Sequence, residues 1–62
     1  MEFSYDLWYD GEIIHAEYLE FESEEDARQD AKDEIELRKS YWDADGVEYD
    51  ETLFEIDITE LD

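Results

Sequence analysis

Residues 3–16 read Phe3-Ser4-Tyr5-Asp6-Leu7-Trp8-Tyr9-Asp10-Gly11-Glu12-Ile13-Ile14-His15-Ala16. Phe3, Tyr5, Leu7 and Tyr9 alternate with Glu2, Ser4, Asp6 and Trp8, the period-two pattern of a strand that buries one face. Asp10-Gly11 follows directly. Both central positions of the tightest hairpin turns need positive φ, which Asp tolerates and Gly adopts freely, so this pair predicts a hairpin. Residues 12–21 then form the returning strand. A two-residue turn sets the register, with Tyr9 opposite Glu12, Leu7 opposite Ile14, Tyr5 opposite Ala16 and Phe3 opposite Tyr18. One face thereby collects Phe3, Tyr5, Leu7, Ile14, Ala16 and Tyr18. The other pairs Trp8 with Ile13, Asp6 with His15, Ser4 with Glu17, and Glu2 with Leu19.

Beyond the hairpin, Ser23-Glu24-Glu25-Asp26 reads as a helix start. Ser23 can accept from free backbone N–H groups, and the acids suit the positive end of the helix dipole. The helix is predicted over about residues 24–41, with Ala27, Ala31, Ile35, Arg38 and Trp42 on one stripe. The two alanines let it sit close to a sheet. Glu24 precedes Arg28 and Glu34 precedes Arg38 by one turn, pairs that support an isolated helix. Asp43-Ala44-Asp45-Gly46 is expected to break it. Residues 52–59 alternate again, with Phe54, Ile56 and Ile58 on one face and Glu55, Asp57 and Thr59 on the other. Val47-Glu48-Tyr49 offers a short fourth segment before that strand. The prediction is an α+β fold in one domain, residues 1–62: a small antiparallel sheet in the order ββαβ, three strands with that short fourth, and one helix on one face. The uncovered face stays wet.

Charge dominates the composition. Four basic residues stand against 23 acidic ones among 62, for a formal net charge of −19. Such a charge strains a compact state by self-repulsion and, with few apolar residues, marks disorder. Here 42% of the residues are hydrophobic and 16% aromatic, and they recur with clear periods, so a folded domain is expected. A chain this short buries only about 60% of its unfolded surface and has little room for a deep cleft. The absence of cysteine removes disulfides and thiolate chemistry and favours a reducing, cytoplasmic setting. No apolar run approaches the roughly 20 residues of a membrane span, and Met1-Glu2-Phe3-Ser4-Tyr5-Asp6 lacks the basic start of a signal peptide.

Few residues point to chemistry. His15 is the single histidine, and its expected neighbour Asp6 could orient an imidazole, but no nucleophile or oxyanion donor accompanies the pair. No catalytic residue and no cofactor is assigned. Asp6, Asp10, Gly11, Glu12, Ile13 and Glu17 fall on a calcium-loop template, yet Trp8 occupies a ligand position and the same residues read better as a hairpin. The acids of the Asp43–Glu51 loop are expected to form a solvated acidic loop, with weak, incidental divalent binding as the minor alternative, so no metal site is assigned. Direct binding to nucleic acid or to an anionic membrane is disfavoured by sign, because Lys and Arg drive such binding.

The same physics allows the chain to resemble nucleic acid itself. Carboxylates at i and i+2 of a strand lie about 6.6 Å apart on one face, close to two steps of about 3.4 Å along a DNA strand. Glu55 and Asp57 have this spacing, as do Glu48 and Asp50 if extended. On the helix, Asp26, Asp30, Asp33 and Glu34 form an acidic ridge. With Asp43, Asp45 and Glu51 of the loop, these are the expected partner-binding residues. Trp8, Tyr41, Trp42 and Tyr49 are candidate contact aromatics.

In shortness, charge, aromatic content, lack of cysteine and sheet-plus-helix pattern, the chain resembles the small acidic inhibitors made by phages, including DNA-mimic and anti-CRISPR proteins. The resemblance spans the whole chain but contains no shared motif, so it carries over no residue. It implies a non-enzymatic inhibitor in the host cytoplasm that blocks a basic nucleic-acid-binding protein, such as a CRISPR effector, by occupying its groove. Two alternatives remain: an antitoxin or immunity-type protein masking one basic partner, and a salt-adapted acidic domain. Self-repulsion favours a monomer over a homodimer through the open sheet edges.

Overall fold

A computed structural model describes residues 2–61, with the side chains of residues 17–19 left undescribed. Three strands and one long helix make up the fold. β1 is Glu2–Tyr9, β2 Glu12–Phe21, α1 Glu24–Asp45 and β3 Phe54–Leu61, with a single 3₁₀ turn, Glu51–Leu53, before β3. The sheet order is β2-β1-β3, and β1 is antiparallel to both neighbours. This is the α+β, ββαβ arrangement expected. Residues 47–50 run without regular structure.

The Asp10-Gly11 turn forms as predicted, with φ of +51° and +79°. Tyr9 faces Glu12 and Trp8 faces Ile13. The register then departs from the expected one. Leu7 faces His15, Asp6 faces Ala16, and Tyr5 faces Glu17, because β2 carries an extra residue at Ile14. A bulge leaves its extra residue outside the ladder. Arg38 of the helix donates from Nη2 to the Ile14 carbonyl at 3.1 Å, so that carbonyl is satisfied. A second shift follows, and Phe3 pairs with Phe21 rather than with Tyr18. The side chains of Glu17, Tyr18 and Leu19, placed on faces by the sequence reading, lie outside the described residues.

The bulge corrects two assignments. His15 does not pair with Asp6 on the wet face. It lies opposite Leu7 on the helix side, with Nδ1 3.9 Å from Glu34 Oε1. Ala16, expected in the core, instead faces Asp6. One skipped residue reverses the facing of everything beyond it, since strand side chains alternate with period two.

The helix starts where predicted. Ser23 is extended and its hydroxyl accepts from the Asp26 N–H. It runs four residues past the expected end, through Asp45. Gly46 (φ +72°) then closes it, with its N–H on the Asp43 carbonyl and the Val47 N–H on the Trp42 carbonyl. This is a left-handed C-terminal cap, and it can be made one turn later than the acid-rich sequence suggested. Asp43 and Asp45 are therefore helical, at the end where the dipole disfavours negative charge. β3 likewise begins two residues later than expected.

The predicted helix stripe is the packed one. Ala27 and Ala31 are fully buried against Tyr5 and Leu7, and Phe3, Ile14, Phe21, Ile35, Ile56 and Ile58 close around them. A second apolar cluster lies at the hairpin end. Tyr9, Trp42 and Phe54 have ring centroids 4.9–5.6 Å apart, and Tyr49 lies against Trp42 and Phe54. Large flat rings suit so thin a core, because each buries much surface with few rotors.

Candidate functional site

All four basic residues sit on α1, and most have structural work. Arg28 pairs with Glu24 at 3.3 Å, as the spacing predicted. Arg38 holds the β2 bulge rather than pairing with Glu34. Lys39 bridges Glu51 at 2.7 Å and Glu36 at 3.1 Å. Hydrogen bonds to Glu51 first, then to Glu36, push its pKa well above the ordinary lysine value.

The opposite side of the sheet carries no Lys or Arg. Strand alternation and register place Glu2, Ser4, Asp6 and Trp8 of β1 in its central row. Beside them stand Leu61, Thr59, Asp57 and Glu55 of β3, in that pairing order. From β2 come Ile13, opposite Trp8, and Ala16, opposite Asp6. Asp6 and Asp57 face each other directly. Glu55 and Asp57 are exposed, Trp8 is half-buried, and Ile13 is 52% exposed. Glu20 joins this surface through Glu2. A hydrogen bond to the Glu2 carboxyl and the repulsion between the two raise the Glu20 pKa above the ordinary glutamate value. The open face is an acidic field around a tryptophan and an isoleucine.

The other expected partner-binding acids are placed differently. On the helix ridge, Asp26 and Asp33 are exposed, and Asp33 accepts from Gln29 at 3.1 Å. Asp30 is half-buried, and its Oδ2 accepts from the Tyr5 hydroxyl at 2.6 Å, tying helix to sheet. Glu34 points to His15. In the 43–51 region, Asp43 accepts from the Tyr49 hydroxyl at 3.4 Å. Burial first, then the Asp43 charge, raises the Tyr49 pKa. Asp50 accepts from both the N–H and the hydroxyl of Thr52, at 2.9 and 2.7 Å, and these bonds lower its pKa. Its own N–H donates to the Tyr9 hydroxyl at 2.8 Å. Glu51 holds Lys39. Only Asp45 and Glu48 of this region are simply exposed. The Glu48/Asp50 phosphate-like pair does not form on a strand.

Of the suspected aromatics, Trp42 and Tyr49 belong to the hairpin-end cluster. Tyr41 is 60% exposed on the helix, and Trp8 stands on the open face. Leu37, not among the expected contact residues, is 45% exposed one turn before Tyr41. Its i, i+4 spacing to Tyr41, off the buried stripe, was the available signal.

Among the described residues there is no pocket and no group of three or more His, Cys, Asp or Glu arranged to hold a metal ion. The residues of the calcium-loop template lie on two paired antiparallel strands and their tight turn, which cannot wrap an ion. No described helix is long and apolar enough to cross a membrane. No protein-family model, curated protein or solved structure matches the chain. What the surface offers chemically is recognition of positive charge over a broad, shallow area.

Proposed function

We propose that this protein is an inhibitor that occupies the basic nucleic-acid-binding groove of another protein, such as a CRISPR effector, by presenting nucleic-acid-like charge. Its linear charge density supports this reading. The molecule measures 40 × 19 × 17 Å, and its 19 net negative charges amount to one per about 2 Å of long axis. Duplex DNA carries one charge per about 1.7 Å of axis, and a single strand one per about 3.4 Å. A groove lined with Lys and Arg therefore meets a rod of similar charge density. Complementary fields speed encounter, and the attraction weakens as salt screens it.

Glu55 and Asp57 are the first contact residues in this reading, because they are exposed, strand-spaced and free of structural duties. Asp45, Glu48, Asp26 and Asp33 extend the charged surface. Asp30, Glu34, Asp43, Asp50 and Glu51 add to the field while serving the fold. The exposed Ile13 beside Trp8 favours a second reading, an immunity-type protein shaped for one basic partner, since apolar anchors confer shape selectivity that charge alone does not.

Capture from a nuclease-treated bacterial lysate, at low and at moderate salt, tests the proposal. The expected catch is several nucleic-acid-binding proteins, lost as salt rises and lost with Glu55→Lys/Asp57→Lys. Undiminished capture by the folded double variant would remove this surface from the mechanism. Salt-resistant capture of a single partner would favour the immunity-type reading.

A further inference from the structure

We propose that the outer edge of β3 accepts an added strand from the partner, one with Lys or Arg at alternate positions. This rests on the partner being basic, as argued above, and adds how it is held. Among the described residues β3 pairs with β1 alone, so its other edge has no strand against it. Its pairing with β1 is unbroken from Glu2–Leu61 to Tyr9–Phe54. A regular strand presents evenly disposed N–H and C=O groups on its open edge, a template for another chain.

The two edges of the sheet contrast. β2 is broken by two register shifts, and Arg38 reaches its bulge. Bulges, proline and charged side chains are the usual devices that keep an edge from pairing. Phe54-Glu55-Ile56-Asp57-Ile58-Thr59-Glu60-Leu61 has no bulge, proline or lysine, and its charges are all acidic, so they repel acidic strands and admit a basic one. Its side chains specify the occupant. Glu55 and Asp57 stand exposed on the open face, while Ile56 and Ile58 line the core side. The side chains of an incoming strand divide between the same two faces. Basic residues would lie beside Glu55 and Asp57, and apolar ones would extend the row of Ile56 and Ile58. A second copy does not fit, since β3 against β3 brings acidic strands together, and like charges on paired strands repel.

The test uses a short peptide of alternating Lys and Val, and two versions of it with backbone N-methyl groups along one edge or the other. Methylation keeps charge and removes hydrogen bonding from that edge. The expected result is slowed amide exchange within residues 54–61 on adding the parent peptide, with the amides of β2 unchanged. One methylated version should lose at least about tenfold in affinity and the other should bind nearly as the parent. Glu55→Lys/Asp57→Lys, at exposed positions, should abolish binding with the circular dichroism spectrum retained. Equal binding by all three peptides without protection in β3 would overturn strand addition and leave the charge-mimic reading standing. No binding by any of them at low salt would overturn both.

Discussion

The acids of this chain form two populations that look alike in sequence and differ in what they touch. Asp30, Asp43, Asp50 and Glu51 are tied in, holding Tyr5, Tyr49, Thr52 and Lys39. The acids of the open face, Glu2, Asp6, Glu20, Glu55 and Asp57, meet no Lys or Arg, and the contacts among them are between like charges, Glu20 with Glu2 and Asp6 across from Asp57. Neutralising the first set should weaken the fold. Neutralising the second should strengthen it while weakening binding. Charge that opposes folding, left on an uncovered face without a basic neighbour, is what a surface for a basic partner requires.

The largest effect on stability is expected at Tyr5→Phe. Tyr5 is 1% exposed and its hydroxyl meets the half-buried Asp30 carboxylate. Losing a charge-assisted bond of this kind costs about 2 kcal/mol. The denaturant midpoint should fall with the slope unchanged. An unchanged midpoint would move Asp30 into the second population.

Asp50→Ala comes next, as it removes both bonds to Thr52. Because the folded pKa of Asp50 lies below its ordinary value, its contribution is present above that value and fades as pH falls through the lowered one. Wild type and variant should therefore differ at neutral pH and converge in acid. Glu20→Gln should show the opposite sign. The Glu20 pKa is raised, so the protonated form suits the fold, and that advantage is lost as pH rises through the raised value. The variant should be more stable than wild type near pH 7 and equal to it below the ordinary carboxylate range, as thermal melts across pH would read.

The smallest effect belongs to Asp57→Asn, which relieves the charge facing Asp6. A gain of about 0.3 kcal/mol is expected at low salt and vanishes at high salt. Weakened partner capture should accompany it.

The sequence exposed most of the scaffold because its signals were local. Asp10-Gly11, the Ser23 cap and the Ala27–Ala31–Ile35–Arg38–Trp42 stripe each act within a few residues. The Ile14 bulge was illegible there. Ile13 and Ile14 are both apolar, so the alternation tolerates either register, and the donor that satisfies the bulged Ile14 carbonyl, Arg38, comes from 24 residues away. The helix end was misplaced because Asp43 and Asp45 are unfavourable at a C-terminus, yet the Gly46 cap and the Trp42 packing against Tyr9 and Phe54 outweigh them. Glu55 and Asp57 could be placed on an outward face from strand period alone. Which helix and loop acids serve the fold could not be read: the partners of Asp30 and Glu51, Tyr5 and Lys39, are distant in sequence, and the nearer ones, Tyr49 for Asp43 and Thr52 for Asp50, depend on a turn that has no repeating pattern.

A competition titration tests occupation of the groove most directly. A basic nucleic-acid-binding protein captured on the immobilised chain is challenged with duplex DNA at constant ionic strength. The expected result is stoichiometric displacement, with the apparent affinity of the chain falling as DNA rises. A captured protein that stays bound to the chain while it also binds saturating DNA would contradict occupation of the groove.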